Sequence, residues 1–261
     1  MAPGGRGKRW GNLSGWLGLL WSLVVYWRPG RQRGLTRLYR PLVGPGDLVF
    51  DVGAHLGDRT AAFAALGAQV VALEPQPAIR RWLERIVGLR EGVTVSGEAV
   101  GREAGTAQLA VSKRSPTLST LADEWRATLP EVNPTFRNVR WEETVEVPVT
   151  TLDALIERYG VPRFCKIDVE GHEAEVLAGL SKPVPGISVE FVYGGLEVAV
   201  ACVRRLEALG SYEFNAIRGE GRVFVFDGWQ TGEHMVRWLA DGAGGASSGD
   251  VYARLVPGHH A

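Results

Sequence analysis

The sequence predicts an α/β fold built on a mostly parallel sheet, and three observations carry that prediction. An apolar, β-branched run at 48–52 passes through a turn holding Gly53 and Gly57 into a helical stretch at 60–66. A second apolar run at 69–73 ends on Glu74, 21 positions after Gly53. Downstream, short apolar runs at 93–95, 163–167 and 187–191 alternate with helical patterns at 77–87, 151–160 and 196–209. That alternation lays strands side by side in parallel, with helices on their faces.

The 261 residues are 45% hydrophobic and 22% charged, which supplies a large core and excludes a disordered chain. Cys165 and Cys202, the two cysteines, both fall in apolar runs and read as reduced core residues of a cytoplasmic protein. No Cys/His group has zinc-ligand spacing, and no metal is expected. The net charge of zero hides an asymmetry: residues 1–40 carry eight Lys/Arg and no Asp/Glu, whereas the remainder carries 21 against 29. The chain therefore divides into a basic, Trp-rich N-terminal helical extension at 1–40 and an acidic domain at 41–261.

Within the extension, residues 10–27 are uncharged, with Arg6, Lys8 and Arg9 before them and Arg28, Arg31 and Arg33 after. A helix of that length spans about 27 Å, the lower edge of what crosses a bilayer. Gly11, Gly15, Gly18 and Ser22 gather on one face, and four of the nine tryptophans sit in this stretch. Two readings stand side by side: a helix lying on an anionic leaflet as a peripheral membrane contact, and a helix capping the substrate side of the domain. A transmembrane span ranks behind both, and no A-x-A-like site marks a cleaved signal peptide.

Pro41, Gly44, Pro45 and Gly46 punctuate the entry into the domain. The 48–58 stretch then compresses a buried strand, a tight turn and a helix start. Its glycines free the backbone to turn and to approach a ligand, Asp58 is a good N-cap, and Gly67 closes the helix. The 77–87 helix packs Ile79, Trp82, Leu83 and Ile86 into the core. The third strand runs into 96–101, where Glu98 and Ala99 meet the base of a bound nucleotide. Residues 106–111 and 145–149 alternate as half-exposed strands that pair with each other. The aperiodic insertion between them, at about 112–143, reads as a substrate lid.

A capped helix at 151–160 leads into the strand at 163–167, which releases Asp168, Glu170 and His172 at its carboxyl end. The strand at 187–191 repeats the device with Glu190. Glu173 and Glu175 also suit a helix N-terminus on charge grounds alone. Residues 212–217 and 222–226 flank Gly219-Glu220-Gly221 as a C-terminal antiparallel hairpin. Residues 242–249 read as a flexible linker, 250–256 as a last edge strand and His259-His260 as an exposed terminus.

Ligands of open parallel sheets bind beyond the carboxyl ends of the strands, so Gly53, Glu74 and Asp168 are expected around one crevice. An acid about 20 positions past a glycine turn, at the tip of the next strand, accepts hydrogen bonds from ribose hydroxyls, which assigns Glu74. The turn is G-x-x-x-G and lacks the G-x-G-x-x-G spacing that brings backbone against a pyrophosphate. It favours an adenosyl ligand without phosphates, of which S-adenosylmethionine is the commonest. One alternative is a nicotinamide-dependent Rossmann oxidoreductase or epimerase, against which stand the missing third glycine and the absence of a Tyr-x-x-x-Lys pair. The other is a non-catalytic adenosyl-binding module at a membrane.

Over roughly 42–226 the chain resembles the FkbM-type methyltransferase family. The matching pieces are Phe50-Asp51-Val52-Gly53-Ala54-His55-Leu56-Gly57, Leu73-Glu74-Pro75, Ala99-Val100-Gly101, Val149-Thr150-Thr151-Leu152-Asp153, Lys166-Ile167-Asp168-Val169-Glu170-Gly171-His172-Glu173 and Val189-Glu190. It departs at His55, where the family usually has Asn, and at Glu103, where Asp is more usual. The resemblance implies a seven-stranded, Rossmann-like class I methyltransferase sheet and methyl transfer from S-adenosylmethionine to oxygen. The implied acceptor is a hydroxyl of a sugar, glycan, polyketide or related metabolite, not a nucleic acid. The residues expected to hold the donor are Asp51, Gly53, Ala54, His55, Gly57, Glu74, Pro75, Glu98 and Ala99. Transfer requires acceptor oxygen, methyl and sulfur in line and a base for the acceptor proton. Asp168 is the first candidate base, with His172 and Glu190 behind it; Asp168 has the alternative role of binding the methionine amino group or a divalent cation, although a D-x-E arrangement alone does not establish a metal site.

Overall fold

The computed structural model describes Trp27 and residues 30–112, 119–122, 133 and 139–256. Its element order is α1 (Arg31–Tyr39), β1 (Leu48–Val52), α2 (Asp58–Ala65), β2 (Gln69–Leu73), α3 (Pro77–Ile86), β3 (Val93–Ser96), β4 (Ala99–Val100), β5 (Gly105–Val111), β6 (Glu143–Thr150), α4 (Leu152–Tyr159), β7 (Phe164–Ile167), α5 (Glu173–Ala178), β8 (Gly186–Val192), α6 (Leu196–Leu209), β9 (Tyr212–Arg218), α7 (Gly232–Ala240) and β10 (Ser248–Leu255). Most of residues 10–27, most of the 112–143 insertion and His259-His260 lie outside the described residues. Among the described residues no helix is long and apolar enough to cross a membrane.

The principal sheet has seven strands in the order β3-β2-β1-β7-β8-β10-β9. The first five run parallel, and β10 runs antiparallel to both neighbours. β1 sits inside the sheet because both its faces are covered: Phe50 and Val52 enter the core beneath α4, α5, α6 and α7, and Val49 packs with Leu35, Tyr39 and Phe63 of α1 and α2. Burial on both faces is why parallel strands read as unbroken apolar runs.

The register carries the functional consequence. Val52 pairs with Leu73 and with Ile167, Leu73 pairs with Ser96, and Ile167 pairs with Val189. β3, β2, β1 and β7 therefore end on one row, so Gly53, Glu74 and Asp168 leave the sheet at the same level, beside Glu190, which stays within β8 in register with Asp250. Three separate stretches of sequence meet there because β1, β2 and β7 are in register at their carboxyl ends.

Several expectations are corrected. The residues 222–226 form no strand; the antiparallel partner of β9 is β10, which enters between β8 and β9 and is not an edge. Residues 219–231 instead fold back over β9, where Asn215 Nδ2 donates to the Phe226 carbonyl at 2.9 Å and Phe224 packs on Trp229 and Tyr252. The stretch read as a linker holds a 3-10 turn at Ala243–Gly245 with Ala243 buried, then opens β10 at Ser248. At the front of the chain, α1 is built into the body: Arg31, Leu35 and Tyr39 are all buried. Residues 105–111 and 143–150 pair antiparallel as expected and form, with β4, a separate three-stranded sheet. Cys165 and Cys202 are buried and unbridged.

Candidate functional site

The strand tips open onto a cleft with about 880 Å³ of space, the solvent at its mouth included. Its walls hold Asp51, Gly53, Ala54, His55, Glu74, Pro75, Glu98, Ala99, Asp168 and His172 of the expected site residues. Gly57 and Glu190 are not on the wall. The walls also include Arg59, Gln76 and Glu170, and Ser119, Thr120 and Leu121 of the insertion.

On the β1–β2 side the backbone makes the shape. The amides of Gly53 and Ala54 both donate to the Leu73 carbonyl at 3.0 Å, which folds the turn against the tip of β2. Gly53 has φ +81, and a Cβ there would overlap the Asp168 carbonyl oxygen, so its missing side chain lets two strand exits touch. Gly57 serves a different purpose from the one expected: with φ +76 it caps α2, and a Cβ on it would press Leu83 of α3 and Val87 just beyond that helix, away from the cleft. Asp58 is consequently the first residue of α2 rather than its N-cap, and its carboxylate receives the Arg31 guanidinium at 2.7 Å.

Glu74 is buried and accepts the His55 amide at 3.0 Å on one oxygen and the Gln76 amide at 2.9 Å on the other. Burial pushes its carboxyl up to about 7, with those two amides opposing. Asp51, deeper in β1, accepts the Thr60 hydroxyl, and burial raises it to about 6. Burial also lowers His55 to about 4, so its imidazole is neutral. At the β3 end, Glu98 is held ionised by hydrogen bonds from Arg158, the nearer at 2.7 Å, beside an apolar wall of Ala99, Val100, Leu109 and Leu121.

On the β7–β8 side charges make the shape. Lys166, fully buried, donates to Asp250 at 2.7 Å and to Asp168 at 3.1 Å. Burial raises the Asp168 carboxyl, but Lys166, Arg59 and a hydrogen bond with Glu190 outweigh it and hold the group below its usual range. Glu190 moves the other way, pushed well up by burial and by the charges of Asp168 and Glu170. It is therefore the more readily protonated member of the Asp168–Glu190 pair. Glu170, with φ +55, is likewise raised by burial and by Asp168; its carbonyl accepts the Thr120 hydroxyl at 2.7 Å. Glu173 Oε1 closes the loop by accepting the Val169 and Gly171 amides at 2.9 and 3.3 Å. His172 stands at the head of α5 and burial lowers its pKa, leaving it neutral at pH 7.

Carboxylate oxygens of Asp168, Glu170 and Glu190 lie within 4.8 Å of one another, a spacing a divalent cation spans. Lys166 places one positive charge beside that cluster, 3.1 Å from Asp168. Asp250, Gln76 and Arg59 were not anticipated as site residues. A lysine in the middle of a buried strand signals that an acid must face it, but its partner Asp250 is 84 residues away and no local pattern names it.

The family model described as Methyltransferase FkbM domain matches residues 51–199. No curated protein matches the sequence. Solved structures that are similar include a precorrin-6y C5,15-methyltransferase from Geobacter metallireducens, at 12% identity and a TM-score of 0.45, with 87% of each chain covered. A SAM-dependent O-methyltransferase from Thermotoga maritima is similar at 13% identity and a TM-score of 0.42, covering 89% of this chain and 67% of that one. A putative rRNA-methylase from Clostridium thermocellum is similar at 11% identity and a TM-score of 0.43, covering 85% of this chain and 94% of that one.

Proposed function

The chain belongs to the FkbM methyltransferase family, whose model spans more than half of its residues, and from that premise we propose that it transfers a methyl group from S-adenosylmethionine to a hydroxyl oxygen of a small-molecule or glycan acceptor. The observation that carries this reading is the common level of Glu74 and Asp168: both lie one residue past the paired row of β2, β1 and β7 and line one cleft.

The residues fit an adenosyl donor. Ala99, Val100, Leu109 and Leu121 offer an apolar wall for a purine, and the Glu74 carboxylate, with one amide on each oxygen, keeps acceptor capacity for ribose hydroxyls. When bound, S-adenosylmethionine supplies a methyl carbon activated by its sulfonium. The rest of the work falls to the protein. Asp168, ionised beside Lys166, accepts the hydrogen bond of an acceptor hydroxyl, orients its lone pair and takes its proton. His172, neutral on the same wall, is the second proton acceptor. Glu190 holds Asp168 from behind the wall through its hydrogen bond. The acid-rich lining gives no basic track for a phosphate backbone among the described residues, which favours an uncharged polyol over a nucleic acid. In the chain as a whole, the 10–27 segment remains a proposed peripheral membrane contact or cap of the acceptor side, and the protein a cytoplasmic one.

Incubating the protein with isotope-labelled donor and fractionated metabolites or glycans tests the proposal. Labelled methyl on an oxygen of a sugar or related hydroxyl is the expected product. Label on nitrogen, carbon or RNA replaces the acceptor assignment, and calorimetric binding of NAD without binding of S-adenosylmethionine ends the donor assignment.

A further inference from the structure

The guanidinium of Arg59 is the one Lys or Arg on the cleft wall among the described residues, and the side-chain hydrogen bonds it donates, to Asp58 and Glu220, are long. It follows Asp58 in the first turn of α2. Arg31 takes the short contacts to the two nearby acids, 2.7 Å to Asp58 and 2.8 Å to Glu220. Arg59 is left with 3.5 Å to Asp58 and 3.4 Å to Glu220, beyond the span of a good charge-assisted hydrogen bond. Its Nε is buried with no hydrogen-bond partner among the described residues, and its side chain is 14% exposed. A buried cation so held stands ready for an anion that is not part of the chain.

The sheet indicates which anion. The strand tips act as a ruler, with neighbours about 4.8 Å apart. Along it come Glu98 and the apolar wall at the β3 end, Glu74 at the β2 tip, and Gly53 with Arg59 after β1, followed by Asp168 after β7. An adenosyl group with its base at the first station and its ribose at the second extends its 5′ substituent over the third. In the proposed donor that substituent ends in an amino acid, and its carboxylate needs a cation to enter a cleft lined by Asp51, Glu74, Asp168 and Glu170. The start of α2 adds its backbone dipole in the same sense.

Resting on the donor assignment made above, we infer that Arg59 receives the α-carboxylate of the donor's methionine moiety and is the residue that distinguishes the full donor from an adenosine thioether lacking the amino acid. The position is specific to this turn: Arg59 is displaced from full pairing with Asp58 and Glu220 because Arg31, from α1, occupies them.

Calorimetry with two probes tests this. S-adenosylmethionine carries the carboxylate, and 5′-methylthioadenosine keeps adenosine and sulfur but lacks it. Removing one charge-assisted contact in Arg59→Gln is expected to weaken binding of the first by about ten- to a hundredfold and leave the second within about twofold. Arg59→Lys, which keeps the charge without the fork, is expected to lose less, again only toward the first probe. The retained thioether affinity also certifies that the variant is folded, and where Arg59→Gln yields no folded protein the Lys variant carries the comparison. Equal losses toward both probes, or no loss toward either, overturn the inference while wild-type binding of S-adenosylmethionine leaves the donor assignment standing. A wild-type protein that binds neither probe overturns both.

Discussion

The two halves of the cleft wall are held by different physics. On the β1–β2 side, four backbone amides set the shape: Gly53 and Ala54 on the Leu73 carbonyl, and His55 and Gln76 on the Glu74 carboxylate. On the β7–β8 side the geometry rests on a buried lysine shared by Asp168 and Asp250 and on a buried Glu190 whose carboxyl is pushed up by its acidic neighbours. The Gly53 and Ala54 contacts to the Leu73 carbonyl do not titrate, whereas the β7–β8 cluster of charges keeps its shape only in one protonation state. The first half suits holding a ligand of fixed form. The second suits moving a proton.

If that division is right, substitutions on the two sides separate binding from chemistry. The largest effect is expected from Asp168→Asn. Turnover should fall by about a thousandfold, equivalent to about 4 kcal/mol, while the donor dissociation constant changes by no more than about threefold. Single-turnover rates and calorimetry on the same preparation measure the two quantities. Thermal melting should stay near wild type, since Lys166 retains Asp250 at 2.7 Å. A variant that binds the donor poorly but turns over what it binds would assign Asp168 to the methionine amino group and reverse the comparison.

Glu74→Gln comes next and carries a pH signature. The group's ordinary value of 4.5 is raised to about 7 in the fold, so between those values the folded chain keeps a proton that the unfolded chain has released. Its contribution to stability is therefore complete below pH 4.5 and lost as pH climbs through 7. Donor affinity runs the opposite way, because the ionised carboxylate accepts from ribose hydroxyls and the protonated one has lost acceptor capacity. Wild-type affinity should rise from pH 6 to 8. The Gln variant should show a flat profile and a loss of about tenfold at pH 8. Matched profiles for the two proteins would place the titrating group elsewhere on the wall, with Asp51 at about 6 the nearest alternative.

The same division explains what could be read before the structure. The glycine turn, the strand ending on Glu74 and the strand ending on Asp168 were legible because each is local: a short apolar run, a turn residue and an acid at the exit. Aligned ends of parallel strands then bring the acids together with no further information. Elements fixed by distant partners were not legible. Ser248–Leu255 mixes Gly, Asp and Arg with its apolar residues and reads as linker and edge, yet it fills a slot inside the sheet, where Asp250 answers Lys166. Gly57 looks like its neighbour Gly53 in sequence, and only the approach of Leu83 and Val87 tells their purposes apart. Arg59 is an ordinary first-turn residue until Arg31 is seen to have taken its partners.

The smallest effect is the sharpest test of the charge-built half. Glu190 lies behind Asp168, and burial together with the charges of Asp168 and Glu170 pushes its carboxyl well above the usual range, which favours it as the donor of the pair. Gln is nearly the same shape and donates from its amide, and Glu190→Gln should leave turnover within about twofold of wild type, with a pH–rate profile that superimposes. Glu190→Ala removes the donor and should lower turnover more than the Gln variant does, by shifting the Asp168 titration upward. Were Glu190 instead the group that takes the acceptor proton, the Gln variant would fall as far as Asp168→Asn, and the proton would have to leave the cleft through a carboxyl that does not line it.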